Sequence, residues 1–428
     1  MPDKSPVDLP VPDDRSPTDT PLEEMTLALM CRADTLSATE VRELSTADWN
    51  RILAWAGEHR FAPYLHYSLR EAGLRDSLPR DVADTLAETY RRVTMRALSI
   101  QRDMVQVSRI LDAAGIGHLF MKGAYLAQFA YPETGLRPMR DLDVLVRRDE
   151  SLAAFDALLD GGLERDPKQM GNPEAYLATS KHLPSIRIPG GTSVEVHTLT
   201  TTPNEVMPYD AALGRFEVLG PRGIHRNLAG KDICFSGPED LLLHICVHAV
   251  LDNQFNNGPL TLSDIAWILA RHDIDWPLFW RLARERKATR GVALALRLQE
   301  REWPGVKIGW DADAAGIIAA DDPILTVAAH SLLRSFDARG DVALQTELAE
   351  TPTVGGKFGH LLGRAFPSRA KMEREFPVSA SSPRVWLYYP LKWWRLGRRL
   401  AMFMRHSTDD RARRDTRNVG AILTWLKD

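Results

Sequence analysis

The sequence predicts an α+β fold, a mixed sheet with helices, flanked by N- and C-terminal helical segments. Three observations support this. Apolar residues recur with a helical period from about residue 22 to 115 and again after about 235. Between those stretches the pattern shortens to strand length at His118-Leu119-Phe120-Met121, Asp141–Val146, Ser185–Ile188 and Thr192–His197. Gly- and Pro-bearing breaks separate these runs, most clearly Pro189-Gly190-Gly191. The expected organisation is a disordered tail over 1–21, a helical region over 22–115, an α/β unit over 116–235, a helical domain over 236–356 and a basic, aromatic segment over 357–428.

Taken in order, residues 1–21 are dominated by Pro, Asp and Ser and offer little apolar surface to offset ordering entropy. Thr46-Ala47-Asp48-Trp49 opens a helix in capping style, with Trp49, Ile52, Leu53 and Trp55 on its apolar side. A long helix lies within Asp81–Ala114. After the first short strand, Lys122-Gly123 turns the chain and Ala124–Ala130 suits a helix. Tyr131–Met139, with two prolines and a glycine, reads as a loop. Ser151–Leu159 is a helix closed by Gly161-Gly162, and the two strands around Pro189-Gly190-Gly191 form a hairpin. Ser236-Gly237-Pro238-Glu239-Asp240 starts another helix, with Pro early and acids in the first turn. Helical patterns continue through Leu241–Val250 and Leu262–Ala270 to about 335, and again near 340–350.

Composition narrows the class. The chain has 428 residues, 44% hydrophobic and 26% charged, with a net charge of −3. That is an ordinary globular balance with room for two or three cores. Cys31, Cys234 and Cys246 are too few and too widely spaced for a disulfide framework or a Cys-type zinc site, and they fit a cytoplasmic setting. The N-terminal stretch lacks the apolar region of a signal peptide, and no run of eighteen apolar residues suggests a transmembrane helix. Charge is uneven: from Lys357 onward there are 16 Lys/Arg against 6 Asp/Glu. The segment Trp386–Leu400 in that region is basic, aromatic and amphipathic. It could rest on an anionic membrane or bind nucleic acid, but core packing with a solvated basic side is the favoured expectation.

The chemistry concentrates around Asp141-Leu142-Asp143. Residues i and i+2 of a strand share a face, so two carboxylates stand side by side within an apolar run. Like charges so close repel unless a cation lies between them, and oxygen-only ligands suit Mg²⁺. Upstream, the Lys122-Gly123 corner opens a helix, whose N-terminus favours phosphate, and Lys122 adds a point charge. Downstream, Val194-Glu195-Val196-His197 places Glu195 and His197 on one face while the valines enter the core. Glu195 is thus the candidate third carboxylate.

These residues carry a resemblance. The order Gly, D-x-D, strand carboxylate is similar to the polymerase-beta-type nucleotidyltransferase superfamily. M-K-G-A-Y-L-A-Q, G-L-R-P-M-R-D-L-D-V-L-V, V-E-V-H and L-L-L-H-I-C-V-H-A together resemble its uncharacterised nucleotidyltransferase family, over roughly residues 25–405. Members of that family often accompany natural-product gene clusters, including those for lasso peptides. The resemblance implies a nucleotidyltransferase-type mixed sheet, Mg²⁺ and an NTP donor such as ATP. It implies transfer of a nucleoside monophosphate to a small-molecule or peptide acceptor. By position, Asp141, Asp143 and Glu195 would be the catalytic, metal-holding carboxylates, and Lys122, Gly123 and Ala124 would form the nucleotide-binding turn. Two departures stand out: the superfamily usually has Gly-Ser or Gly-Gly where this chain has Gly123-Ala124, and a Pro-containing loop lengthens the path from Gly123 to Asp141. Other readings are a nucleotide-binding scaffold protein and a toxin-like nucleotidyltransferase acting on tRNA or protein. Nucleic acid is not the favoured partner.

Further candidates surround the motif. Arg137 and Arg140 flank the D-x-D and could clamp a triphosphate bidentately. His197 could be a ligand, a proton acceptor, a contact to the acceptor substrate in the cleft, or a satisfied core histidine. His244 and His248 are spaced i, i+4 on one helix face, but the chain reads His-Ile-Cys-Val-His without the glutamate of a zinc protease, so the expectation is that this helix packs on the catalytic unit with one of the two histidines lining the cleft. Asp264 would line the same cleft or cap a helix. Lys181, before His182, is a weaker phosphate candidate.

Overall fold

The computed structural model describes residues 20–204, 207–335, 363, 365–406 and 410–427. The expected tail, as far as residue 19, and the helical pattern near 340–350 lie outside the described residues. The N-terminal region is helical: Thr20–Cys31, Ala38–Glu43, Thr46–Glu58, Ala62–Glu71 and the 34-residue helix Arg80–Ala113. Ser37 and Ser45 open two of these with reciprocal capping boxes to Glu40 and Asp48, so the start expected at Thr46 rests on a satisfied cap. The long helix buries Ile100, Met104, Val107 and Leu111, spaced as one helical stripe.

The central sheet has seven strands: β1 (His118–Phe120), β2 (Asp141–Val146), β3 (Glu164–Arg165), β4 (Ile186–Arg187), β5 (Ser193–His197), β6 (Ile224–Leu228) and β7 (Lys231–Phe235). Their order is β3-β4-β5-β2-β1-β7-β6. β2 pairs antiparallel with β1 and parallel with β5, and β1 pairs parallel with β7, so the sheet is mixed and the fold is α+β. Leu142 and Val144 on β2, with Val194 and Val196 on β5, are fully buried in the main core. Their alternating neighbours carry the acids, which is the two-residue period read from the sequence.

The β4–β5 turn is the expected hairpin, with Gly190 at φ 64°. The β6–β7 hairpin was not expected. Ala229 and Gly230 both adopt positive φ, at 50° and 80°, in its two-residue turn. The flanking strand β6 is mostly exposed and offers no apolar alternation, so its sequence carries little strand signal. The helix expected over Ala124–Ala130 is a single turn, Gly123–Tyr125, followed by a π turn, Leu126–Ala130.

Helices Pro238–Val247, Leu260–Arg271, Trp276–Glu285, Thr289–Glu302 and Ile324–Ser331 follow the sheet. The final helix, Asp410–Lys427, returns to pack Ile422 into the main core, and Arg290 lies over the Trp425 ring. Between them, Met372, Phe376, Val385 and Tyr389 make a small core of their own. Core packing for the aromatic segment therefore holds only in part. Val385 and Tyr389 are buried, but Trp386, Leu387, Leu391, Trp393 and Trp394 face solvent.

One buried acid ties the sheet to the helical region. Asp103, on the long helix and fully buried, accepts from Thr192 N at 2.9 Å and from Thr192 Oγ1 at 2.7 Å at the entry to β5. Asp103→Ala leaves a buried N–H and hydroxyl without acceptors and should cost about 2–4 kcal/mol. Denaturant unfolding of the variant checks this: an unchanged midpoint would show that the hairpin does not depend on this anchor.

Candidate active site

The site is built on two adjacent parallel strands. Asp143 on β2 stands directly opposite Glu195 on β5, and Asp141 stands opposite Ser193. Asp141, Asp143, Glu195 and His197 therefore share one face of the sheet, as their spacing implied. Asp143 Oδ1 accepts from His197 Nε2 at 3.0 Å, and Asp143 Oδ2 accepts from Lys122 Nζ at 2.9 Å. Glu195 Oε1 accepts from Ser185 Oγ at 3.0 Å, while Glu195 Oε2 lies 3.4 Å from His197 Nε2 and 3.9 Å from His182 Nε2. His197 is thus in contact with both acids, and it is fully buried.

The electrostatics divide the acids. Burial alone would raise the Asp143 carboxyl, but Lys122 and His197 outweigh it and hold that carboxyl well below its usual range. Glu195 is likewise lowered, against its burial, by His197 and His182. Burial would lower His197, yet Asp143 and Glu195 raise it, so the imidazolium form is favoured between them. Lys122 is raised against its own burial by Asp143, Asp141 and Glu195. Asp141 goes the other way: burial and the charges of Asp143 and Glu195 push it up to about 6. It has no hydrogen-bond or ion-pair partner among the described residues.

The turn after β1 is held against the acids. Met121 N donates to the Asp143 carbonyl at 3.0 Å, which brings Lys122 beside that residue. Lys122 adopts φ 46° and ψ −116°, a sparsely populated conformation that aims its side chain at the carboxylates at a cost of roughly 1–3 kcal/mol. Gly123 is required here for a reason the sequence did not show: a Cβ would collide with Arg137 Nη1. Ala124 is buried and its N–H donates to the Met121 carbonyl at 3.2 Å, so that amide closes the turn rather than facing a phosphate.

Arg137 and Asp264 prove to be partners. Arg137 Nε and Nη2 donate to Asp264 Oδ1 and Oδ2 at 2.8 and 3.0 Å, and Tyr131 Oη donates to Asp264 Oδ1 at 2.7 Å. The expected bidentate clamp on a triphosphate is therefore already made, internally, with Asp264. Only Nη1 is left beside the Gly123 turn. Asp264 is buried in this pair and does not line an open cleft. Arg140 is exposed, just before β2.

His244 and His248 lie close enough to the site for the Lys122 charge to act on both. His248 Nδ1 contacts Asp252 Oδ2 at 3.2 Å, and His244 is buried with no hydrogen-bond partner for Nε2. Asp252 also receives Lys181 Nζ at 3.4 Å. Lys181, His248, Asp252 and Asn253, with Thr202 and Leu251, line a cavity of about 400 Å³. Ser185 and His182 were not legible as site residues, because only the fold of the hairpin brings them to Glu195, and Asp252 was not legible as the partner of His248 and Lys181.

Asp143, Glu195 and His197 each offer a donor atom, all within 4.8 Å of one another. Lys122 and His197 engage Asp143, Arg60 acts on Asp141 through its charge alone, and Asp141 has no hydrogen-bond or ion-pair partner among the described residues, so its half-buried carboxylate is available to an added cation. Two carboxylate sources and Asp141 beside them fit an oxygen-seeking ion.

With this geometry in hand, residues 45–303 match the family described as uncharacterised nucleotidyltransferase, more than half of the chain, and the protein belongs to that family. The family places it among nucleotidyltransferases, which act on a nucleotide and typically use a divalent metal. Among the curated proteins and the solved structures, none matches this chain. No helix among the described residues is long and apolar enough to cross a membrane.

The histidines set an acid limit. Burial, reinforced by the Lys122 charge, holds His248 down at about 4, while an unfolded histidine titrates near 6.5. The unfolded chain takes up this proton first, so stability is unaffected above about pH 6.5 and falls as pH drops from there toward about 4. His248→Gln should reduce the proton uptake on unfolding in this window by up to about one proton. Unfolding free energies measured at several pH values read this directly, and an identical slope in both proteins contradicts it.

Proposed function

We propose that this protein is a Mg²⁺-dependent nucleotidyltransferase that moves a nucleoside monophosphate from an NTP, such as ATP, to a small-molecule or peptide natural-product acceptor. The observation that carries this reading is the pairing of Asp143 with Glu195 across parallel strands, with Asp141 two residues away and without a hydrogen-bond or ion-pair partner among the described residues. In this reading Asp141, Asp143 and Glu195 hold the ion. Mg²⁺ bound there supplies charge neutralisation at the phosphates of the donor.

The chain's own residues then have separable tasks. Lys122, held in a strained turn, provides a fixed positive charge beside Asp143 and the incoming phosphates. Arg137, oriented by Asp264, offers Nη1 at the Gly123 turn, and exposed Arg140 stands before β2 as a second phosphate contact. Glu195 positions the acceptor oxygen and accepts its proton as the bond to the α-phosphorus forms and the bond to pyrophosphate breaks. His197 keeps Asp143 and Glu195 oriented through contacts to both. The cavity beside Lys181, His248 and Asp252 receives the acceptor. A cytoplasmic setting accords with the three unpaired cysteines. The long helix Arg80–Ala113 and the helical domain after the sheet flank the catalytic unit over 116–235, and Asp410–Lys427 packs on Ile324–Ser331 of that helical domain.

A second reading rests on Ala124. Its amide is engaged in the turn and its side chain has no hydroxyl, which removes a phosphate donor and suits a nucleotide-binding scaffold. The two separate in one assay. With an acceptor mixture, Mg²⁺ and labelled NTPs, the enzyme releases pyrophosphate, whereas the scaffold binds NTP without turnover. Asp141→Asn and Asp143→Asn should each lower pyrophosphate release by roughly a hundredfold or more, and chelation by EDTA should abolish it until Mg²⁺ is restored. Variants that bind NTP and Mg²⁺ as well as the parent protein would show that the ion is held elsewhere.

A further inference from the structure

Nine large apolar side chains are exposed among the described residues, and six of them, Phe366, Trp386, Leu387, Leu391, Trp393 and Trp394, belong to the C-terminal unit. Leu387 is 75% exposed, Trp394 57% and Trp386 54%, and it is their clustering in one unit, rather than the exposure of each, that marks an interaction surface. They are also organised. Leu391, Trp394 and Arg398 fall three and four residues apart on the helix Tyr389–His406. Leu387 sits one turn earlier, at the end of the 3₁₀ turn Pro383–Tyr388 that leads into it. The result is one apolar stripe with an arginine at its end.

Cations border this stripe. Between Ala365 and Arg398 there are seven Lys/Arg and two Asp/Glu. Arg369 lies 5.5 Å over the Trp386 ring and Arg398 lies 5.0 Å over the Trp394 ring. Arg384, Arg395 and Lys371 are exposed nearby. The unit has its own core beneath this face, so the aromatic residues are not waiting to fill it. It is anchored to the rest of the chain through Asn172–Glu373 and the stacking of Arg374 on Tyr176.

We propose that this face is a peripheral docking surface for an anionic phospholipid membrane. Tryptophan and leucine flanked by Arg and Lys match an interface with an apolar interior and a negatively charged headgroup layer. A single-stranded nucleic acid would be recognised by charge and stacking, but Leu387 and Leu391 present no ring to a base. The surface acts independently of the carboxylate cluster and places the protein's transferase chemistry at a lipid surface.

The test is flotation of the full chain with phosphatidylcholine vesicles, with and without phosphatidylglycerol. Binding should require phosphatidylglycerol, weaken with added salt, and shift tryptophan emission to shorter wavelength. Leu387→Ser/Leu391→Ser/Trp394→Ser should reduce vesicle partitioning roughly tenfold or more. Arg395→Ser/Arg398→Ser should reduce it while leaving the far-UV circular dichroism unchanged. All these side chains are solvent-exposed, so unchanged thermal unfolding is expected of both variants. The proposal is overturned by absence of flotation, by equal flotation of the triple variant, or by an oligonucleotide complex that the triple variant loses while vesicles go unbound.

Discussion

The parallel pairing of β2 with β5 is the constraint around which the molecule is organised. Its register sets Asp143 against Glu195, and the strand period then brings Asp141 and His197 to the same face. Three carboxylates so placed repel one another, and burial sharpens the repulsion because the charges lose water. The fold meets this with Lys122 and His197, both in contact with Asp143. It does not meet it completely. Asp141 is pushed up to about 6 despite the charges of Lys122 and Arg60, and with no hydrogen-bond or ion-pair partner among the described residues its carboxylate gives the cluster its capacity for a cation.

The surrounding architecture serves this register. Asp103 on the long helix fixes the chain at Thr192, just before β5 begins. The Met121 N–H to the Asp143 carbonyl fixes the end of β1 beside β2, and the strained Lys122 backbone converts that hydrogen bond into a charge placed at the carboxylates. Arg137 and Asp264 form a buried, bidentate pair with Tyr131, and Gly123 has no side chain because the guanidinium needs its space. A turn that reads as a phosphate loop in one dimension is, in three, equally a packing junction between the sheet and the helix Leu260–Arg271.

The C-terminal unit is organised differently. It carries a small core of Met372, Phe376, Val385 and Tyr389, and it turns its remaining aromatic and aliphatic residues outward. An amphipathic basic helix most often hides its apolar side. Here the small core is already filled from within the unit, so Leu387, Leu391 and Trp394 are left at the surface.

Much of the site was legible because strand chemistry is local. Alternation alone told which side Asp141, Asp143, Glu195 and His197 would face, since adjacent Leu142, Val144, Val194 and Val196 had to enter the core. The helix start at Thr46, the long helix and the Gly190 hairpin were readable for the same reason: each depends on residues a few positions apart. Tertiary structure decided what depends on distant partners. Arg137 could not be known to meet Asp264, 127 residues on, nor Lys181 to meet Asp252, 71 residues on, because charge alone does not say which opposite charge is near. The β6–β7 hairpin, with its mostly exposed first strand, lacked the apolar alternation that marks strands in sequence. The sequence by itself determined the α+β class and the acid-bearing face. Packing of distant segments decided which cations stand beside those acids, which arginine is already engaged, and which aromatic residues remain in solvent.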